Sequence, residues 1–196
     1  MQICKVSLKG VVIALLLFLS AGLSPAAEFS ATSITKAGGQ QTPGKVYVKG
    51  NKARHEIKMG GQTSIQILRP DKSVLWVILP QQKAYMEMPL TQEDQQKILL
   101  NLTEKQKAKM KKVGTETVGN YDCDKYETTM SHQGKAAKLL VCIAPELGAP
   151  IRMETEDGSF TTELKDIKTG PLEDSLFEPP QGYKKMKMPL SMPPKK

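Results

Sequence analysis

The chain is poor in the residues that grip nucleic acids. Aromatic residues make up 5% of its 196 positions, with a single Trp, and only three arginines (Arg54, Arg69 and Arg152) stand among its 28 basic residues. Nucleic-acid readers depend on arginine forks and stacked rings, so no nucleic-acid partner is expected. Histidine is scarcer still, with His55 and His132 alone. The chain has no His-Glu-x-x-His, no Gly-x-Ser-x-Gly, no phosphate loop and no Cys-x-x-Cys, which removes the common hydrolase, nucleotide and redox signatures. His55 falls on the apolar side of a strand, where a packed ring is expected, and His132 falls in a tight loop. A Cys123–His132 nucleophile pair is chemically conceivable, but hairpin geometry favours a disulfide. The reading is of a non-enzyme without a cofactor.

Long apolar runs are also missing, with one exception. Val11 to Leu19 is unbroken, follows Lys5 and Lys9, and precedes Ser24-Pro25-Ala26-Ala27. These are the three regions of a secretory signal peptide. The run is too short for a membrane span, which takes about 20 residues. Cleavage after Ala26 places small residues at both recognition positions, so residues 1–26 are assigned as the signal peptide and the protein to the periplasm or extracellular space. Cys4 precedes the apolar run and cannot serve as a lipidation site after cleavage. Loss of Lys5 and Lys9, with no acid among residues 1–26, lowers the formal charge from +8 to +6. A basic exported protein suits an anionic membrane surface. Of three cysteines, Cys123 and Cys142 remain, an even pair for a disulfide in an oxidising compartment.

What is present is alternation. Val46 and Val48, then Ala53, His55, Ile57 and Met59, then Ile65 and Ile67 each mark one strand face, separated by Gly50-Asn51 and Gly60-Gly61, which are hairpin turn signals. Val74 to Leu79, including Trp76 and Ile78, is apolar throughout, as in a strand covered on both faces. Ala84, Met86 and Met88 share a side of the next strand. At Thr91-Gln92-Glu93-Asp94 and Thr103-Glu104-Lys105-Gln106 the pattern becomes that of helix caps. Ile98, Leu99 and Leu102 follow helical spacing, so residues 91–112 are expected as one bent helix or two short ones. Strands resume after Gly114. Tyr121–Met130 and Ala136–Ile143 flank a hairpin loop. A turn at His132-Gln133 sets Cys123 directly opposite Cys142; a turn at Gln133-Gly134 leaves them diagonal on one face. A last hairpin surrounds Asp157-Gly158, and residues 184–196 read as a flexible tail rich in Met, Pro and Lys.

Several stretches resemble an uncharacterised family of small secreted bacterial proteins, a domain of unknown function. They are Gly44-Lys45-Val46-Tyr47-Val48-Lys49-Gly50, Met59-Gly60-Gly61, Arg69-Pro70-Asp71-Lys72, Trp76 and Tyr85-Met86-Glu87-Met88. Further along, Gly119 to Tyr126, Glu146 to Pro150 and Asp174-Ser175-Leu176-Phe177-Glu178 continue it. The family resembles, distantly, the Lol-type lipoprotein carriers, which implies a half-open barrel with helices as a lid over an apolar cavity. It implies no catalytic residue.

The expected architecture is α+β and mostly antiparallel β: one strongly curved sheet in a single domain over residues 27–183, with one or two lid helices. The expected function is non-catalytic binding of a lipid or lipoprotein acyl chain, by a monomer, through Trp76, Ile78, Met86, Met88, Ile98, Leu99 and Leu102. Methionine suits a cavity for flexible ligands. Two alternatives stand beside it. One is an envelope protein-interaction module without a cavity. The other is copper binding through Met86, Met88, Met186 and Met188, because thioethers are soft ligands for Cu(I).

Overall fold

The computed structural model describes residues 28–91, 107–132 and 135–186. The strands are β1 (Glu28–Ala37), β2 (Gln40–Lys49), β3 (Lys52–Met59), β4 (Gln62–Arg69), β5 (Val74–Leu79) and β6 (Ala84–Pro89), followed by β7 (Lys111–Val118), β8 (Tyr121–His132), β9 (Lys135–Ala144), β10 (Ala149–Thr155), β11 (Phe160–Thr169) and β12 (Lys184–Met186). They form one 12-stranded sheet in the order β12-β6-β5-β4-β3-β2-β1-β11-β10-β9-β8-β7. The sheet is open, with β12 and β7 at its edges. Every pairing is antiparallel except β12 on β6. Two antiparallel meanders, β1–β6 and β7–β11, are therefore joined through the β1–β11 pair.

The turns follow from local chemistry. Gly38-Gly39 and Gly60-Gly61 all take positive φ, as two-residue hairpins require. After Pro70–Lys72 and Pro80–Gln82, single 3-10 turns, Ser73 and Lys83 adopt the left-handed conformation and return the chain to the next strand. Register shifts interrupt three pairings, at Ser30/Thr32, Pro150/Arg152 and Lys112/Gly114. Such bulges bend strands and increase twist.

The mostly antiparallel curved sheet agrees with expectation; the helical lid finds no support. Among the described residues the helical segments are three 3-10 turns of three or four residues, the third being Asp174–Phe177, and Lys107 alone is α-helical. Lys111 and Lys112, expected at a helix end, open β7 and pair with Glu127 and Tyr126. Lys112 Nζ lies 2.7 Å from Asp124. Val113, Thr115 and Thr117 are β-branched at alternate positions, and that preference extends the strand N-terminally past Gly114. Residues 92–106, with Ile98, Leu99 and Leu102, lie outside the described residues. Of the C-terminal tail, Lys184–Met186 pair in parallel with Ala84–Met86, and residues 187–196 lie outside the described residues.

His132 pairs with Lys135 and Lys125 with Cys142. Cys123 and Cys142 are therefore diagonal on one face, and they are joined by a disulfide with 5.5 Å between Cα atoms.

Candidate functional site

Register fixes the two faces of the first meander. Phe29 pairs with Val48 and Ala31 with Val46; Val48 pairs with Ala53 and Val46 with His55. This face continues through Leu68, Leu75, Val77, Met86 and Met88. The opposite face carries Arg54, Ile65, Ile67, Trp76, Ile78, Tyr85 and Glu87 by the same pairings. Trp76 and Ile78 thus lie on one side of the sheet, and Met86 and Met88 on the other.

The Trp76 face is covered by the C-terminal segment. Ile65, Ile67, Trp76, Ile78 and Phe177 form one buried cluster, with Leu172, Leu176 and Tyr183 against it. Polar anchors hold this strap along its length. Lys49 Nζ donates to the Leu172 carbonyl at 2.8 Å, Arg54 Nη1 to the Leu176 carbonyl at 3.0 Å, and Arg69 Nη1 to the Phe177 carbonyl at 3.1 Å. Arg69, 5% exposed, also donates to Asp71 and to Glu178. The Asp71 carboxyl is held below its ordinary range by that hydrogen bond, and Arg69 is raised in turn. Trp76 Nε1 donates to Glu87 at 3.0 Å, and Lys185 of β12 donates to the same carboxylate at 2.7 Å.

The other side of the sheet holds a pocket of about 590 Å³, within the range of small-molecule sites. Phe29, Val46, Val48, Ala53 and Ile57 line it from β1–β3, and Leu139, Ile151, Met153, Phe160 and Leu164 from β9–β11. β3 and β9 stand five strand steps apart in the sheet. A flat sheet would separate them by about 24 Å at the usual strand spacing, so lining one pocket requires the sheet to curl. The pocket is the concave side of that curl, and the strap lies on the convex side.

Its polar groups are few and largely paired with one another. Ser33 Oγ lies 3.0 Å from His55 Nε2, and Thr35 Oγ1 lies 3.0 Å from Thr162 Oγ1. Burial lowers the pKa of His55. Ala149, Pro150, Arg54 and Arg152 complete the lining; the Arg54 guanidinium reaches the strap on the other face, and both arginines are ion-paired. Arg54 Nε lies 2.7 Å from Glu56. Arg152 lies 3.0 Å from Glu116 and 2.7 Å from Glu154, and its Nε is buried without a hydrogen-bond partner. Lys125 completes this second cluster at 2.8 Å from Glu116.

The residues nominated from the sequence are placed as follows. Trp76 and Ile78 belong to the core under the strap. Met86 and Met88 sit on the concave side, on β6, outside the stretch β3–β9 that lines the pocket. Met186 is in register with Met86 and is 40% exposed. Met188 lies outside the described residues. His55 is on the apolar side of β3, as its alternation indicates. Ser33, Thr35 and Thr162 carry no local signal, since their partners are 22 and 127 residues away. Among the described residues no group of three or more His, Cys, Asp or Glu side chains is arranged to hold a metal ion.

An open antiparallel sheet curled around a neutral, apolar pocket defines a half-barrel protein. The chain belongs to the family DUF4412, a domain of unknown function, which matches residues 31–149. No curated protein matches it. Among solved structures it is similar to an uncharacterized conserved protein from Thermus thermophilus, with a TM-score of 0.58 and 14% identity over 84% of this chain and 93% of that one. It is also similar to a chain of the Pseudomonas aeruginosa MucA/MucB complex, with a TM-score of 0.49 and 15% identity, covering 78% of this chain and 56% of that one. At such identity the likeness to the Thermus thermophilus protein describes the fold alone.

Proposed function

We propose that the protein is an exported, non-catalytic carrier that holds an apolar ligand, such as an acyl chain, in the concave pocket. The observation that carries this reading is the pocket itself: about 590 Å³ walled by aliphatic and aromatic side chains from six adjacent strands. An apolar chain seated there leaves water at about 25 cal/mol per Å² of apolar surface. The arginines in the lining are already ion-paired, so entry of hydrocarbon strands no charge. The apolar run from Val11 to Leu19 with its small-residue cleavage context supports export. Native mass spectrometry of protein purified from its own extracytoplasmic compartment tests both parts. The expected species starts at Ala27 and carries an added lipid mass. Bare protein that also ignores a fluorescent fatty-acid analogue would leave a protein-interaction module as the better reading.

A second reading is favoured by one observation. Met186 of β12 pairs with Met86 of β6, and Met88 lies two residues along the same face, so thioethers gather at this edge of the sheet. Cu(I) binding through them is expected to compete with a colorimetric Cu(I) chelator, and Met86→Leu with Met186→Leu to abolish that competition.

A further inference from the structure

Ser33 and His55 form the one mixed hydroxyl–imidazole pair in the pocket, and the fold makes room for it at a particular place. Ser33 is only 2% exposed, yet it lines the pocket together with His55. Gly44, on the strand between them, lets the pair close. A Cβ there would stand 2.6 Å from Ser33 Oγ and 2.9 Å from His55 Nε2. The contact with Ser33 engages Nε2 and fixes the ring plane. The second ring nitrogen has no hydrogen-bond partner among the described residues, and burial favours the neutral ring. No cation in the lining is uncompensated, because Arg54 is matched by Glu56 and Arg152 by Glu116 and Glu154.

We propose that Ser33 and His55 are the head-group seat of the pocket, and that the seat takes an uncharged hydrogen-bonding head, an ester or hydroxyl on a single-chain amphiphile, in preference to a free carboxylate or phosphate. The inference rests on the carrier reading of the pocket. An ionised head brought among these side chains meets no free positive charge to replace its water, and burying an unpaired charge is costly. An ester carbonyl or hydroxyl needs only one partner, and the free imidazole nitrogen supplies it. A glycerol monoester offers both an acceptor and a donor, so it fits either tautomer of the ring.

Displacement of N-phenyl-1-naphthylamine, an uncharged apolar fluorophore, from the mature chain tests this directly. Glycerol monolaurate and laurate share one acyl chain, and at about pH 8 laurate is ionised. The monoester is expected to displace the fluorophore at a concentration at least roughly tenfold lower, the worth of one good hydrogen bond, with the cost of burying laurate's charge added to it. With each variant's own fluorophore affinity measured and divided out, His55→Phe and Ser33→Ala should each weaken the monoester roughly tenfold relative to laurate. Laurate displacing as well as the monoester, or a ratio unchanged in a folded His55→Phe protein, would overturn the proposal while leaving the carrier reading intact. If His55→Phe fails to fold, Ser33→Ala decides by the same ratio. Wild-type protein that takes up no fluorophore overturns the seat and the carrier reading together.

Discussion

Gly44 is held by its surroundings rather than by its own backbone conformation. The Cβ of any other residue would meet Ser33 Oγ, the Glu56 carbonyl at 2.8 Å and His55 Nε2. Gly44→Ala is therefore expected to destabilise the fold by about 1–3 kcal/mol, the usual cost of forcing atoms into a packed site, read as a lower denaturant midpoint at unchanged slope. His55 makes a second prediction at this scale. Its folded pKa lies below the ordinary 6.5, so the unfolded chain binds the proton first. Its contribution is present above about pH 6.5 and is lost as pH falls through that value toward the folded pKa. Stability measured from neutral pH down to about pH 5 should fall, and less so in His55→Gln. The position of His55 on an apolar strand face was legible from alternation. Its partner was not, because Ser33 is brought beside it only by the pairing of β1, β2 and β3, and nothing near either residue in sequence marks the other.

At the scale of elements, the strap shows how an irregular segment becomes part of a core. Residues 170–183 have no period, and two prolines, Pro179 and Pro180, bar regular pairing. Yet Phe177 is fully buried, and backbone carbonyls of the strap are met by Lys49, Arg54 and Arg69. Phe177→Ala should cost about 3–5 kcal/mol and redden Trp76 emission, since both side chains belong to one cluster. The strap should also loosen in acid. Asp71 and Glu178 both have depressed folded pKa values. For Glu178, burial opposes the shift and hydrogen bonds from Lys72 and Arg69 outweigh it. Their contribution is complete above the ordinary carboxylate range and disappears as pH falls through the folded values. Limited proteolysis should cut near residues 170–183 first as pH is lowered below about 4. Sequence patterns reach strands well, because a two-residue period and glycine turns are local. They misplaced the start of β7, where lysines suit a helix end and a protected sheet edge equally. The pairing of Lys112 with Asp124 decides for the edge.

For the molecule as a whole, the disulfide and the sheet order carry the argument. The Cys123–Cys142 bridge spans 19 positions and should contribute on the order of 3 kcal/mol. Denatured, unreduced mature protein should show no free thiol at these positions, and reduction should lower the melting temperature. The class of sheet and the cysteine pairing were visible in the sequence, whereas the location of the pocket was not. It arises where β1–β3 and β9–β11 curl toward each other, and that neighbourhood depends on one long-range pair, β1 with β11. Phe29 lies against Thr169, so β1 stays unpaired on one side until β11 has been made. A polypeptide built this way cannot finish folding while it is still being made or threaded. Its assembly is a late, slow event of high contact order, during which an open strand edge invites aggregation. Nascent chains arrested before Phe160 should be degraded throughout by protease, and the same chains should become resistant only once β11 is released. The yield of this protein in a cell is then set by how well that waiting edge is shielded, more than by the stability of the finished sheet.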